Sequence, residues 1–175
     1  MSTAPERSDV YKDVQLRPVD QADLPILFEQ QDDLEACTLA RVSQRSRTNF
    51  DAHWAKILAD PSIDLRAIVW RGELAGYLVC FALWSDSEEE RPVTPRQVGY
   101  WLGRPYWGRG VATAALAQFL GVVAERPLLA FTSPHHRASQ IVLERCGFAR
   151  LTMQAAAPLL REDEPGDSAV FKIDP

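Results

Sequence analysis

Two glycines separated by one residue, Gly108 and Gly110, stand between a strand-like segment and a helix-like segment. Glycine lets the backbone turn sharply and lets a ligand come close, because it has no Cβ atom. The first N–H groups of the following helix have no partner inside the helix, and the helix dipole adds about half a positive charge at that end. The pattern therefore predicts an anion site, with a phosphate or a pyrophosphate as the expected ligand. The alternative is a tight turn without a ligand.

Two common phosphate-binding motifs do not fit this segment. A P-loop requires a lysine after its last glycine, whereas Val111 follows Gly110 here. A dinucleotide-binding fingerprint requires a third glycine or alanine where Thr113 stands, and an acidic residue about twenty positions later, whereas residues 131–134 contain none. A nucleotide-phosphate enzyme that uses this loop is disfavoured as well, because neither a lysine nor an acidic metal ligand stands nearby.

The segments on either side of the glycines have the periodicities of a strand and of a helix. Val98, Tyr100 and Leu102 recur at every second position, which predicts a strand. After the glycines, apolar residues fall on one helical face, which predicts an amphipathic helix of about four turns. These apolar residues are Ala112, Ala115, Leu116, Phe119, Leu120 and Val123.

Two motifs in this order resemble the GNAT N-acetyltransferase superfamily. Residues 107–112, Trp-Gly-Arg-Gly-Val-Ala, are similar to the family's acetyl-CoA loop, Gln/Arg-x-x-Gly-x-Gly/Ala, with tryptophan at the first position. Residues 134–148 are similar to the family's Asn-x-x-Ser helix that ends in Gly-Phe, with His136 in place of the asparagine and Ser139 in place of the serine. The tryptophans near the loop resemble the branch that includes the ribosomal-protein N-terminal acetyltransferases. The resemblance covers most of residues 13–173.

This resemblance implies a cofactor site for acetyl-CoA as cosubstrate. Loop amides would hold the pyrophosphate, strand backbone groups would contact the pantetheine arm, and an N–H near Leu102 would polarise the thioester carbonyl. For Trp101 and Trp107, simple core packing is the alternative to forming the walls of the site. The residues implied to bind the cofactor are Tyr100, Trp101, Leu102, Trp107, Gly108, Arg109, Gly110, Val111, Ala112, Thr113, His136 and Ser139.

The implied reaction is direct attack of a neutral amine on the thioester in a ternary complex, without a covalent enzyme intermediate. An α-amino group with a pKa of about 8 is partly neutral at physiological pH, whereas a lysine amine with a pKa of about 10.4 needs more help. By resemblance, Ser139 would protonate or hydrogen-bond the leaving sulfur, with helix capping as its alternative role. His136 would either cap the same helix or hydrogen-bond the pantetheine.

No general base can be assigned from the sequence. Gln97 occupies the strand position where many relatives carry glutamate, and an amide cannot accept the proton. Asp32, Asp33 and Glu35 are candidates, because the resemblance places residues 31–48 over the acceptor site. A water chain is an equal alternative.

Two further residues with reactive side chains are expected to have structural roles. Cys146 lies on an apolar face, where packing is expected rather than nucleophilic catalysis. His53 has no second histidine or carboxylate at metal-ligand spacing, and no metal site is predicted.

The order of predicted elements is a strand, two helices, three strands, a helix, a strand, a helix and two strands. It predicts an α+β fold with a mixed, mostly antiparallel, twisted sheet and helices on both faces, which the resemblance identifies as the GNAT fold. Residues 1–12 are expected to form a loose N-terminal arm and residues 13–175 a single domain. Asp20 is expected to cap the first helix, and Thr48 with Asp51 has the spacing of a capping box for the second.

Two pairs of strand segments flank these helices. Residues 65–70 and 74–84 predict a hairpin, and alternating runs at residues 151–155 and 168–173 predict the two final strands. Residues 85–95 are expected to form a charged loop in which Glu88, Glu89 and Glu90 are solvated.

Composition limits the classes of partner. A net charge of −5 and a pI near 5.2 argue against a general nucleic-acid binder, which usually carries a basic surface. No apolar stretch is long enough to span a membrane. Cys37, Cys80 and Cys146 are an odd number in apolar surroundings, which predicts reduced thiols and a cytoplasmic location.

The predicted function is transfer of an acetyl group from acetyl-CoA to a primary amine of a small molecule or a peptide N-terminus. The alternative is a non-catalytic acyl-CoA binding or sensing module, which Gln97 and the unassigned base favour. The expected partners are acetyl-CoA and the amine acceptor, without nucleic acid or membrane, and a homodimer is left open.

Overall fold

The computed structural model describes residues 7–83, 95–160 and 165–175. Within them, one seven-stranded sheet has the order β1-β2-β3-β4-β5-β7-β6. The strands are β1 (Val14–Arg17), β2 (Asp64–Trp70), β3 (Glu73–Ala82), β4 (Arg96–Leu102), β5 (Leu128–Thr132), β6 (Ala149–Arg150) and β7 (Ala169–Ile173). The helices are α1 (Arg7–Asp13), α2 (Leu24–Gln31), α3 (Leu34–Ala40), α4 (Arg47–Ala59), α5 (Val111–Val122), α6 (Arg137–Arg145) and α7 (Met153–Ala156).

The sheet is mixed, as the sequence predicted. Strands β1 to β4 pair antiparallel in chain order, and β7 pairs antiparallel with both β5 and β6. Only β4 and β5 run parallel among the described strands. The predicted α+β fold with a mostly antiparallel sheet is therefore confirmed.

Two hydrophobic clusters cover the two faces of the sheet, because successive side chains of a strand point to opposite faces. One face packs against α1, α5 and α6, and its cluster contains the fully buried Phe119 and Phe171. The other packs against α2 and α4, and its cluster contains Phe50 and Trp54. Helices therefore lie on both faces, as predicted.

The prediction of a loose N-terminal arm does not hold for residues 7–12, which belong to α1. Val10 is only 7% exposed and packs in the cluster that contains α5. Gln118 Nε2 donates hydrogen bonds to the carbonyl oxygens of Tyr11 and Val14, at 3.1 and 3.0 Å. Because these contacts come from a helix more than a hundred residues away, the local sequence does not reveal them.

Three other local predictions need correction. The run at residues 151–155 is not a strand, because Thr152 caps α7 by accepting a hydrogen bond from the Ala155 N–H at 3.3 Å. The N-cap of α4 is Ser46 rather than Thr48, with its hydroxyl accepting from the Asn49 N–H. Residues 34–40 form α3, a helix that is not in the predicted order of strands and helices.

Several other predictions match the structure. Asp20 caps the turn that leads into α2 and forms a capping box with Asp23. The hairpin prediction matches β2 and β3 as far as Ala82. Trp84 and the glutamates at positions 88–90 lie outside the described residues. None of the described helices is long and apolar enough to cross a membrane.

Candidate active site

The parallel strands β4 and β5 separate after a short common stretch. Their pairing joins Arg96 to Leu128 and Gln97 to Leu129 and goes no further. On its other edge β4 pairs with β3 along its whole length. The C-terminal part of β4 therefore has one edge without a neighbouring strand, and a cleft opens there.

The hydrogen-bonding pattern shows which backbone groups of β4 face this cleft. The Gly103 N–H donates to the Ala75 carbonyl and the Leu83 N–H to the Pro95 carbonyl, both at 2.9 Å. In an antiparallel ladder such pairs alternate, so odd-numbered residues of β4 bond to β3 and even-numbered residues direct their N–H and C=O groups away from it. The backbone groups of Tyr100 and Leu102 are therefore directed into the cleft.

The cleft has a volume of about 260 Å³ and reaches from β4 to the ends of β5 and α6 and to α3. It is lined by eight of the residues predicted to bind the cofactor, namely Tyr100, Trp101, Leu102, Trp107, Gly108, Ala112, His136 and Ser139. The other lining residues are Ala36, Leu39, Ala40, Gln97, Val98, Gly99, Ala130, Phe131, Thr132, Ser133, Ala138, Val142 and Leu143.

The glycine loop brings the N-terminus of α5 to one end of this cleft. Gly108 and Gly110 have φ angles of 71° and 81°, in the left-handed region that glycine adopts at little cost. Gly110 is the N-cap of α5, and no side chain caps the helix. A Cβ atom at Gly108 would have no protein atom within 4 Å, so space for a ligand lies next to the loop. Unpaired N–H groups beside open space suit a phosphate.

Two tryptophans line the cleft and fix the backbone around it. Trp107 Nε1 donates to the Leu102 carbonyl at 2.7 Å, so this acceptor is satisfied and the Leu102 N–H remains directed at the cleft. Trp101 Nε1 donates to the Gln30 carbonyl at 3.0 Å. The Trp101 carbonyl lies 2.0 Å from the position that a Cβ atom would take at Gly76, so only glycine fits beneath this part of β4.

Ser139 and His136 both lie on the α6 side of the cleft, and neither side chain caps the helix. His136 is the N-cap of α6 by position, without a side-chain hydrogen bond to the helix. Burial lowers the pKa of His136 below its ordinary value, which favours a neutral imidazole. Ser139 Oγ instead shares a hydrogen bond of 2.8 Å with the hydroxyl of Tyr100.

Gln140 positions this side of the cleft and was missed by the sequence analysis. Its side chain is 3% exposed, and its Nε2 donates to the carbonyls of Ser133 and Pro134 at 3.2 and 2.9 Å. These bonds hold the turn from β5 to α6 on which His136 stands. A polar residue on the otherwise apolar face shared with Leu143 was the available signal.

Helix α3 forms the opposite wall and is held by ion pairs at both ends. At its N-terminus, Arg104 donates from Nε and Nη2 to the carboxylate of Asp33 at 2.7 and 2.5 Å, and its Nη1 pairs with Glu35. At its C-terminus, Arg41 donates to Asp167 at 2.5 and 3.0 Å. Because Arg104 precedes the glycine loop, one residue connects the α3 wall with the predicted anion site.

A family comparison identifies the kind of protein to which this cleft belongs. Residues 13–149 match the family described as "Acetyltransferase (GNAT) domain". The chain belongs to the GNAT acetyltransferase family. As a member of it, the protein is an acetyl-CoA-dependent N-acetyltransferase with acetyl-CoA as its cosubstrate.

Solved acetyltransferase structures share this fold. Aminoglycoside acetyltransferase AAC(6')-Ib in complex with coenzyme A has a TM-score of 0.72 and 19% identity, covering 91% of this chain and 92% of that one. Spermidine N-acetyltransferase from Vibrio cholerae with CoA and spermine has a TM-score of 0.70 and 12% identity, covering 92% and 94%. RimJ from Mycobacterium smegmatis with CoA-disulfide has a TM-score of 0.66 and 20% identity, covering 92% and 81%. Because these identities are low, the likeness concerns the fold alone. No curated protein sequence matches the chain.

Four residues of the acetyltransferase that were predicted to bind the cofactor do not line the cleft. Gly110 caps α5, and Val111 is buried in the core. The Arg109 guanidinium lies 5.4 Å from the centroid of the Trp70 ring. The Thr113 carbonyl accepts a hydrogen bond from the Cys146 thiol at 3.6 Å. Of these four, Gly110, Val111 and Thr113 form the N-cap and part of the first turn of α5, so any contribution of theirs to ligand binding would come from the main chain.

The residues considered as bases are not gathered in the cleft. The Arg104 guanidinium lowers the pKa of Asp33 to about 2, so this carboxylate is a poor proton acceptor. Glu35 pairs with the same arginine, and Asp32 accepts a hydrogen bond from Gln44 at 3.0 Å. Gln97 lines the cleft, but an amide cannot take a proton.

Cys146 and His53, for which structural roles were predicted, have no sign of a nucleophilic or metal-binding role. Burial raises the pKa of Cys146 to about 11, so the thiol stays protonated, in agreement with its expected packing role. His53 lies on α4 and does not line the cleft. Among the described residues, no group of histidine, cysteine and acidic side chains has the geometry to hold a metal ion.

Proposed function

We propose that the acetyltransferase moves the acetyl group of acetyl-CoA to a primary amine of a small molecule or a peptide N-terminus, by direct attack in a ternary complex. The observation that carries this proposal is the cleft at the β4–β5 separation, where backbone groups of Tyr100 and Leu102 face the same space as the N-terminal end of α5. Such a cleft suits a long ligand with amide groups at one end and phosphates at the other.

Main-chain N–H groups would stabilise the negative charge of the cosubstrate and of the transition state. The N–H groups at the start of α5 would bind the pyrophosphate, and the Leu102 N–H would stabilise the oxyanion that forms at the thioester carbonyl. Ser139 would donate a proton or hydrogen bond to the leaving sulfur. The bound cosubstrate supplies the activated acetyl group.

The lining of the cleft supports an acceptor that arrives as a neutral amine. Among the described lining residues there is no aspartate, glutamate, lysine or arginine, and the titratable side chains are Tyr100 and His136. An amine with a pKa of about 8 is neutral at pH 7 roughly 200 times more often than one with a pKa of about 10.4. α-Amino groups and other weakly basic amines are therefore favoured over lysine-like or polyamine acceptors.

The experiment starts with ligand binding. Thermal unfolding is compared with acetyl-CoA, ATP and NAD, since a ligand stabilises only a fold that binds it. Acetyl-CoA alone is expected to raise the unfolding temperature. Stabilisation by ATP or NAD instead would contradict the proposal.

Turnover is then measured as thiol release with two peptides of the same sequence. One has a free N-terminus and a blocked lysine, and the other a blocked N-terminus and a free lysine. Faster release with the free N-terminus is expected, together with acetylation of weakly basic small amines. The binding-only alternative predicts that acetyl-CoA binds tightly while none of the amines is acetylated above the uncatalysed rate.

Location and assembly remain part of the proposal. Cys37, Cys80 and Cys146 are all free thiols, which supports the predicted cytoplasmic location. Similarity to the ribosomal-protein branch and a homodimer stay predictions. Light scattering after size-exclusion chromatography tests the dimer.

A further inference from the structure

One hydrogen-bonded pair of side chains spans the inner wall of the cleft. The Tyr100 hydroxyl on β4 donates to the Ser139 carbonyl oxygen on α6 at 3.1 Å, and it shares a hydrogen bond of 2.8 Å with Ser139 Oγ in which either oxygen can donate. Both residues line the cleft. The pair therefore joins the strand whose backbone faces the cleft to the helix that carries the predicted proton donor.

The pair leaves Ser139 free of the role that was its alternative. Ser139 is the third residue of α6, whereas His136 occupies the capping position. Within the described residues, the hydrogen-bond partner of Ser139 Oγ is Tyr100. A serine hydroxyl has one proton and two lone pairs, so Ser139 can donate its own proton elsewhere when the single Tyr100 proton turns from the Ser139 carbonyl to Oγ.

We propose that Tyr100 and Ser139 act as one proton-donating unit for the leaving sulfur, with Tyr100 as the donor behind Ser139. The proposal rests on the proposed acetyl transfer and adds a residue that the sequence analysis gave only a backbone role. Ser139 Oγ touches the reacting sulfur, and Tyr100 acts through it as a positioning and proton-supplying residue.

The proton balance of the step is complete. The acceptor nitrogen forms a bond to the carbonyl carbon, and the carbon–sulfur bond then breaks with its electron pair on sulfur. Ser139 Oγ gives its proton to the sulfur and takes the proton of the Tyr100 hydroxyl. The nitrogen loses one proton to solvent, and solvent returns one to Tyr100. The products are the amide and the free thiol, and both side chains regain their starting state.

The environment of Tyr100 keeps its hydroxyl protonated. Burial raises the pKa of Tyr100 to about 12, against the Ser139 hydrogen bond, which lowers it. The hydroxyl therefore stays protonated over the whole pH range in which amines are acetylated.

The test uses the variants Tyr100→Phe and Ser139→Ala, their combination, and Tyr106→Phe as a control. Tyr106 also has a hydroxyl with one hydrogen bond, to Glu73 at 3.2 Å, but it does not line the cleft. Each protein is assayed with acetyl-CoA and with an acetyl thioester of a more acidic thiol. Acetyl-CoA affinity and thermal unfolding are measured for every variant, so that misfolded proteins are recognised.

Tyr100→Phe and Ser139→Ala are each expected to lower kcat with acetyl-CoA about 10- to 100-fold, since general acid catalysis contributes on the order of 100-fold or more. A more acidic thiol leaves without much protonation, so the kcat of these variants with its thioester should fall only a few-fold. The double variant should be no worse than Ser139→Ala, because groups that act as a unit are not additive. Tyr106→Phe should have the same kcat as the wild type with both acetyl thioesters.

Two results would overturn the inference while leaving the proposed function intact. One is a Tyr100→Phe variant with unchanged kcat, and the other is an equal loss with both thioesters, which indicates a structural role. Failure of the wild-type protein to acetylate any amine would overturn the proposed function and the inference together.

Discussion

The two walls of the cleft are built from different interactions. The β4 and α5 side uses main-chain groups, whose directions follow from the strand ladder and from the glycine conformations. The α3 side uses a short helix held by exposed ion pairs, Arg104 with Asp33 and Glu35 and Arg41 with Asp167. Backbone groups cannot be changed by substitution, whereas ion pairs weaken with salt and vary easily. Main-chain groups suit a constant cosubstrate, and we propose that the ion-paired wall meets the acceptor.

The largest expected effect comes from placing negative charge at the main-chain wall. Gly110→Asp should weaken acetyl-CoA binding at least about 100-fold, because a carboxylate beside the start of α5 repels a pyrophosphate and competes for its N–H groups. Gly110→Asn is the matched control, since asparagine also tolerates a φ near the 81° of Gly110 but adds no charge. Calorimetric titration with acetyl-CoA distinguishes the two. Equal affinities would mean that the loop is only a turn.

The next effect concerns the support beneath the main-chain wall. Gly76→Ala should lower the free energy of unfolding by about 3 kcal/mol, at the upper end of the usual cost of overpacking, because the new Cβ atom collides with the Trp101 carbonyl. Gly99→Ala is the control, since its Cβ atom would meet only Val79 Cγ1 at 3.5 Å. Urea unfolding of both variants checks this prediction. It is wrong if the two substitutions cost the same.

A smaller effect is expected at the ion-paired wall. Arg104→Ala should raise the KM for the acceptor a few-fold, and this KM should then depend little on salt concentration. The affinity for acetyl-CoA should stay within a factor of two. Arg71→Ala removes a comparable exposed ion pair, with Asp13, away from the cleft. It should leave both constants unchanged. A loss of acetyl-CoA affinity equal to the rise in KM would show that the two walls do not act separately.

The smallest expected effect is on the stability of the protein at low pH. The Arg104 guanidinium lowers the pKa of Asp33 from 3.8 to about 2 in the folded protein. The stability from this pair is therefore fully present above pH 4 and is lost as the pH falls towards 2. The difference in unfolding temperature between the wild type and Asp33→Asn should shrink over that range and stay constant above it. A difference that changes instead between pH 5 and 8 would contradict the assignment.

The sequence predicted the main-chain wall better than the ion-paired wall. The glycines at positions 108 and 110 act within a few residues of the chain, so the turn and the start of α5 were predictable from local pattern. Helix α3 depends on two ion-pair partners, Arg104 and Asp167, which lie 71 and 126 residues along the chain from Asp33 and Arg41, and periodicity does not report on such partners. The run at residues 151–155 was predicted as a strand because its alternation was too short to distinguish a strand from a capped helical turn.

The functional pairings show the same limit. Ser139 was predicted as a proton donor from a motif, but its contact with Tyr100 depends on how α6 packs against β4. Gln140 was missed, because its role is to hold the two carbonyls before α6, which only the folded turn brings within reach.

The sequence by itself determined the family, the order of most elements and the position of the glycine loop, because these follow from spacings within short segments. The tertiary structure alone decided that β4 and β5 separate, that the even-numbered residues of β4 face the opening, and that α3 closes its other side. Those features arise where distant segments meet, and their hydrogen bonds and ion pairs exist only after the chain has folded.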